Sequence, residues 1–118
     1  MGSYCVIITT FPNERSAKDV TYLLLEKKLA ACVQMNAIQS FYHWEGALCE
    51  EPEQRLVIKT RSSLFEAIQT LLLEYHPYEL PEIIQIPIER GLEAYLDWLE
   101  METTFLHVKD ELPTKEDV

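Results

Sequence analysis

The sequence predicts an α+β fold whose elements run β-α-β-β-α-β, followed by one more helix. Two observations lead there. Apolar residues cluster in short β-branched runs at some places and recur at helical spacing at others. Proline, glycine and helix-capping residues stand between the two kinds of segment. At 118 residues the chain predicts one domain, long enough to bury a core without disulfide staples.

The first strand is read over residues 4–10, where YCVIITT is β-branched and apolar. Phe11-Pro12 ends it. Asn13 then offers a side-chain cap, and Glu14 sits in the first turn of a helix. Ala17, Val20, Leu24 and Ala31 recur at helical spacing, which predicts a helix over residues 14–30. Cys32–Trp44 reads as a long strand with Val33, Met35 and Ala37 on one face and Ile38, Ser40, Tyr42 and Trp44 on the other. Glu45-Gly46 is its turn, and LVIK at 56–59 closes the partner strand. This predicts a hairpin long enough to project beyond a small sheet.

Ser62 and Ser63 offer the next cap, with Glu66 three residues after Ser63 at capping-box spacing. Leu64, Ile68, Leu71, Leu72 and Tyr75 form the stripe of a second helix. Pro77 stops it, since proline lacks an N–H and drives His76 out of the helical region. Pro81 leads into a strand over residues 82–88, where Pro87 suits an edge. Leu92, Tyr95, Leu96 and Leu99 make the last helix. Residues 1–102 form the predicted domain; residues 103–118 read as an acidic, loosely ordered tail that Phe105 and Leu106 anchor at its start.

This order is the split βαβ, or ferredoxin-like, arrangement, in which the two main helices cover one face of the sheet. Val6, Ile7 and Ile8 are nevertheless apolar on both faces, as are Leu56, Val57 and Ile58. The second face therefore calls for a cover, and a partner subunit is the economical one.

The net charge is −10 and the sequence holds no Lys/Arg cluster, which argues against nucleic acid and anionic membranes as partners. The apolar runs are too short to cross a bilayer. Met1-Gly2-Ser3 leads directly into a strand rather than a leader peptide. Three cysteines without a C-x-x-C predict reduced thiols and a cytoplasmic protein. Phosphate-binding loops, nucleophile elbows and zinc spacings are all missing from the sequence, so no catalytic residues are assigned and no cofactor is required. The chemistry concentrates in EYHPYELPEII, from Glu74 to Ile84, and in the hairpin. His76 closes a helix, Tyr78 follows Pro77, and Glu82 is a carboxylate heading an apolar strand.

The segments KKLAACVQMN, SFYHWEGAL, LVIKT, HPYELPEIIQIPI and YLDWL resemble the CutA family of divalent-cation tolerance proteins, in the same order and spacing, from about Cys5 to Leu99. The resemblance implies a homotrimer with strands joined across its interfaces and a link to copper and other divalent metals. It implies copper ligands at a cysteine near the end of the first strand and at histidines before the Pro-Tyr pair. Here Thr9 and Tyr75 occupy two of those places, which leaves His76, with Glu82 as a nearby carboxylate, as the candidate Cu²⁺ site. An alternative is a regulatory trimer similar to PII-type signalling proteins, with a small ligand between subunits. Tyr42, Trp44, Lys59 and Tyr78, flanked by His76 and Glu82, are the candidates for such a cleft. Lys59, His76 and Glu82 would be the acid/base groups of an enzyme, the third reading.

Overall fold

The computed structural model describes residues 3–103. The elements are β1 (Tyr4–Phe11), α1 (Glu14–Glu26), β2 (Cys32–Trp44), β3 (Ala47–Arg61), a 3-10 turn (Ser62–Leu64), α2 (Phe65–Tyr75), β4 (Ile83–Ile88) and α3 (Glu93–Met101). The sheet is antiparallel throughout, in the order β2-β3-β1-β4. This is the predicted α+β arrangement. Pro87 faces Cys5 on the edge strand β4, where a missing N–H costs no ladder bond.

Helix α1 starts as the sequence predicts: Asn13 is extended and its Oδ1 accepts the Ser16 N–H at 2.9 Å. It ends four residues short of the predicted limit at residue 30. Lys28 takes a positive φ of 55°, and the Leu29 and Lys28 N–H groups reach back to the Leu24 and Leu25 carbonyls at 2.9 and 3.1 Å. That is a Schellman closure made without glycine, sealed by burial of both Leu24 and Leu29. Ala31 accordingly leaves the helix and donates its N–H to the Lys59 carbonyl in the sheet.

The capping box predicted for α2 does not form. Ser62 donates its backbone N–H to the Ser3 carbonyl at 2.9 Å and so continues the β1–β3 ladder. The chain then tightens into the 3-10 turn, and Leu64 takes the cap position with no side-chain cap bond. At the other end the prediction holds: His76 is extended at φ −77° and ψ 132°, ahead of Pro77.

Strand β3 is far longer than its LVIK core. Its portion from Gln54 onward pairs with β1, while its earlier residues pair with β2 alone. The hairpin therefore projects past the body of the sheet, as expected. Glu45 and Gly46, at φ 49° and 80°, form the two-residue turn that sets its register.

The core lies between the sheet and the α1/α2 layer, with Ile7, Phe11, Leu56 and Ile58 of the strands against Val20, Leu24, Ile68 and Leu72 of the helices. The second face is covered at one end by α3. There the Tyr4 hydroxyl donates to Glu100 Oε1 at 2.6 Å, and the Lys59 Nζ stands 5.6 Å from the Tyr95 ring centre. Arg61 donates to Thr103 Oγ1 at 2.6 Å, to the Thr103 carbonyl at 3.1 Å and to the Glu100 carbonyl. Thr103, the first residue assigned to the tail, is thus buried in the folded body; Phe105, Leu106 and the rest of that segment lie outside the described residues. The other end of the face is open, with Ile84 and Ile86 exposed beside half-buried Val6, Ile8 and Val57.

Candidate ligand cleft

Where the hairpin leaves the sheet, the chain from α2 to β4 crosses beside it. Alternation along β2 puts Ser40, Tyr42 and Trp44 on the same side of the hairpin. The register sets Ile38 opposite Glu53 and Tyr42 opposite Cys49, so Glu53 also belongs to the side of Tyr42. Pro77 and Pro81 carry the crossing segment over this surface. The result is a cleft of about 760 Å³ whose walls include Thr10, Tyr42, Trp44, Glu53, Tyr78 and Glu82. Phe41, His43, Glu79 and Leu80 complete its rim.

Tyr78 links the two walls. Its hydroxyl donates to Glu53 Oε2 at 2.6 Å, and its N–H donates to His76 Nδ1 at 3.2 Å. Burial, followed by the bond to Glu53 and the charge of that carboxylate, holds the Tyr78 phenol well above the usual tyrosine range. The Tyr42 phenol is also raised, by desolvation first and then by Cys49, Glu51 and Glu53.

His76 stands behind this cleft rather than in its lining. Its ring stacks on Phe11 at 4.2 Å between centroids, and its Nε2 lies 3.4 Å from Thr9 Oγ1. A backbone N–H can only donate, so Nδ1 accepts from Tyr78 and the neutral ring carries its proton on Nε2. Burial pushes the imidazole pKa down, against smaller opposing effects from a Thr10 backbone hydrogen bond and the Glu53 charge. Both ring nitrogens therefore already face protein groups. Among the described residues no three His, Cys, Asp or Glu side chains converge as metal ligands.

Of the residues singled out in the sequence, Tyr42, Trp44, Tyr78 and Glu82 meet in the cleft. Lys59 does not: it lies about 20 Å farther along β3 than Glu53, at the usual strand rise per residue, and it stands over Tyr95. The lining residues that sequence reasoning missed are chiefly Glu53 and Glu79. Glu53 was recoverable, because the two-residue turn at Glu45-Gly46 fixes which side of the hairpin it takes. Cys5, Cys32 and Cys49 are all free thiols, each on a strand.

The profile of the family described as CutA1 divalent ion tolerance protein matches residues 5–102. The chain is 41% identical over 103 residues to Protein CutA of Mus musculus, covering 86% of this chain. That match spans only 58% of the mouse protein's own length. Among solved structures, CutA1 from Oryza sativa superposes with a TM-score of 0.84 at 38% identity, over 87% of this chain and 95% of that one. The periplasmic divalent cation tolerance protein CutA from Archaeoglobus fulgidus gives 0.82 at 40% identity, over 84% and 97%. On sequence and fold together, the chain belongs to the CutA1 divalent ion tolerance protein family.

Proposed function

We propose that the chain assembles as a homotrimer that serves divalent-cation tolerance by binding a small ligand in the cleft between Tyr42, Trp44, Tyr78 and Glu82. The convergence of these four side chains, from two segments far apart in sequence, carries the reading. Aromatic walls with a few polar groups are the ordinary make-up of a small-molecule site, and about 760 Å³ is an ordinary size for one. The trimer is supported by the exposed Ile84 and Ile86 beside half-buried Val6, Ile8 and Val57 on one sheet face and, among the described residues, by two unpaired sheet edges, β2 and β4. The projecting hairpin is long enough to reach a neighbouring subunit, which would close the cleft from its open side.

A thermal-shift screen with cationic, neutral and anionic compounds tests this reading. Hits should raise the melting temperature of the wild type and fail to do so in Trp44→Ala. Hits that are indifferent to both Trp44→Ala and Tyr42→Ala would place binding elsewhere and end the cleft reading.

Direct metal binding is the second reading, with His76 and Glu82 as ligands for Cu²⁺ or another divalent ion. One observation favours it: burial keeps His76 neutral, the form that binds metal. The ion would have to displace the 3.4 Å contact with Thr9 or the Tyr78 N–H. Calorimetric titration with Cu²⁺ should then saturate at a simple ratio to subunits and weaken at least about tenfold in His76→Ala. Three unpaired thiols support a cytoplasmic setting, although the Archaeoglobus fulgidus relative is named as periplasmic.

A further inference from the structure

We propose that the ligand taken by this cleft is a small organic cation, an alkylammonium or arylalkylammonium, rather than an anion or a bare metal ion. The proposal rests on the cleft reading above and adds the sign and shape of the ligand.

Charge comes first. Glu53, Glu79 and Glu82 all line the cleft, and among the described residues its lining contains no lysine or arginine. The ion pairs Lys18–Glu14 and Lys28–Glu102 involve none of these carboxylates. Arg55, the basic residue nearest to Glu53 on β3, instead directs its Nε to Asn36 Oδ1 at 3.3 Å. The contribution of one subunit to the cleft is therefore a negative potential whose carboxylates have no internal counter-ion among the described residues, which disfavours an anionic ligand. This differs from the phosphate and nucleotide sites common in small α+β folds, which need donors and positive charge.

Shape decides between kinds of cation. A divalent metal wants several oxygen or nitrogen ligands within about 2–2.6 Å of one point. The three carboxylates come from separate places, β3, the crossing segment and the approach to β4, and they do not converge with any third ligand. Glu53 is further committed by accepting the Tyr78 hydroxyl. The same lining is rich in aromatic rings: Phe41, Tyr42, Trp44 and Tyr78. Ring faces attract a diffuse, weakly hydrated cation, and tryptophan does so best. Spread carboxylates supply the long-range attraction while the rings take up the apolar body. The ring faces would add nothing for a strongly hydrated Mg²⁺.

The test uses the intact chain in its solution assembly and three probes of similar size: benzyltrimethylammonium, benzyl alcohol and benzoate. Calorimetry and Trp44-dependent fluorescence quenching are read at low salt. Benzyltrimethylammonium should saturate at one site per subunit and bind at least about tenfold more tightly than benzyl alcohol, with benzoate weaker still. Glu82→Gln, an exposed and nearly isosteric change, should cut the affinity of the cation several-fold while leaving benzyl alcohol unchanged. Added MgCl₂ should compete no better than NaCl of equal ionic strength. Benzyl alcohol or benzoate binding as tightly as the cation, with Trp44 dependence retained, would overturn the cationic assignment and leave the cleft reading standing. Failure of all three probes to perturb Trp44 fluorescence or to bind saturably would overturn both. Displacement of the cation by Mg²⁺ beyond the ionic-strength effect would overturn the preference for an organic ion.

Discussion

The Tyr78 hydroxyl donates to Glu53 Oε2 at 2.6 Å, and this bond fastens the segment between α2 and β4 to the base of the projecting hairpin. The residues stand 25 apart in sequence. They hold together the two walls of a cleft that neither wall forms alone.

Tyr78→Phe should keep the ring and remove the bond. For a half-buried pair with a charged acceptor the loss should be about 1 kcal/mol. Denaturant melts of the wild type, Tyr78→Phe, Glu53→Gln and the double variant give the coupling directly. A coupling near zero would mean that the contact adds nothing to stability.

The same bond sets an alkaline limit. The folded phenol is held above its ordinary value by burial and by Glu53, so the native state keeps its proton where the unfolded chain loses it. That contribution is complete below about pH 10, the unfolded tyrosine value, and is lost as pH rises beyond it. Tyr78→Phe should therefore flatten the fall in stability between pH 9 and 11, measured as urea midpoints, on a scale of about one pH unit around the unfolded pKa. An identical alkaline slope in wild type and variant would assign the titration to another group.

His76 sets the opposite limit. Its folded pKa lies below the ordinary value because the ring is packed on Phe11 and desolvated. The unfolded chain takes up the proton first, so stability is complete above about pH 6.5 and falls as pH drops toward the depressed folded value. His76→Gln should lower stability at neutral pH through lost stacking, yet show less further loss on acidification. Parallel pH profiles for the two proteins would remove His76 from the acid transition.

Much of this was legible in the sequence where the signal is local. Asn13 caps α1, Pro77 ends α2, and alternation along β2 puts Tyr42 and Trp44 together, as expected. The misreadings have non-local causes. Lys28 ends α1 in a conformation that glycine would have announced, and only the docking of Leu29 into the core requires it there. Ser62 serves a ladder bond to Ser3, far away in the sequence, instead of a helix cap. Within one chain Lys59 lies away from the hairpin tip, over Tyr95 of α3, a placement that depends on where α3 docks and that no local pattern announces. Glu53 meets Tyr78 only after sheet and crossing are assembled.

The α3 end depends on Arg61. Its guanidinium joins the Thr103 hydroxyl and carbonyl in a buried setting and the Glu100 carbonyl in a partly buried one. Lysine keeps the charge but cannot span those acceptors with one ammonium group. Arg61→Lys should cost about 2–3 kcal/mol, since buried carbonyls lose their donors. Urea denaturation measures it, and a loss under about 0.5 kcal/mol, the usual range for surface changes, would show that water replaces the arginine.

The homotrimer is tested on the open end of the second sheet face. Ile86 lies on edge strand β4 opposite Val6, is 45% exposed in the single chain, and shares its face with Ile84 and Ile8. In an interface it would be desolvated; in a monomer it would sit in water. The wild type, stripped of metal with EDTA, should scatter light as a particle of roughly three times 13.8 kDa at low micromolar concentration. Ile86→Glu places a charge where a neighbouring subunit would bury it, at a cost of several kcal/mol per interface if it stays ionised. In a closed ring that cost is repeated at each contact, so the variant should shift to monomer. Helix and strand content by circular dichroism separates dissociation from unfolding, because the core between the sheet and α1/α2 does not involve Ile86. Glu102→Gln, at the end of α3 in a solvent-facing ion pair with Lys28, is the control and should leave the mass unchanged. A wild type that scatters as a monomer, or an Ile86→Glu variant that keeps the full trimeric mass, would mean that this face is not what the subunits bury.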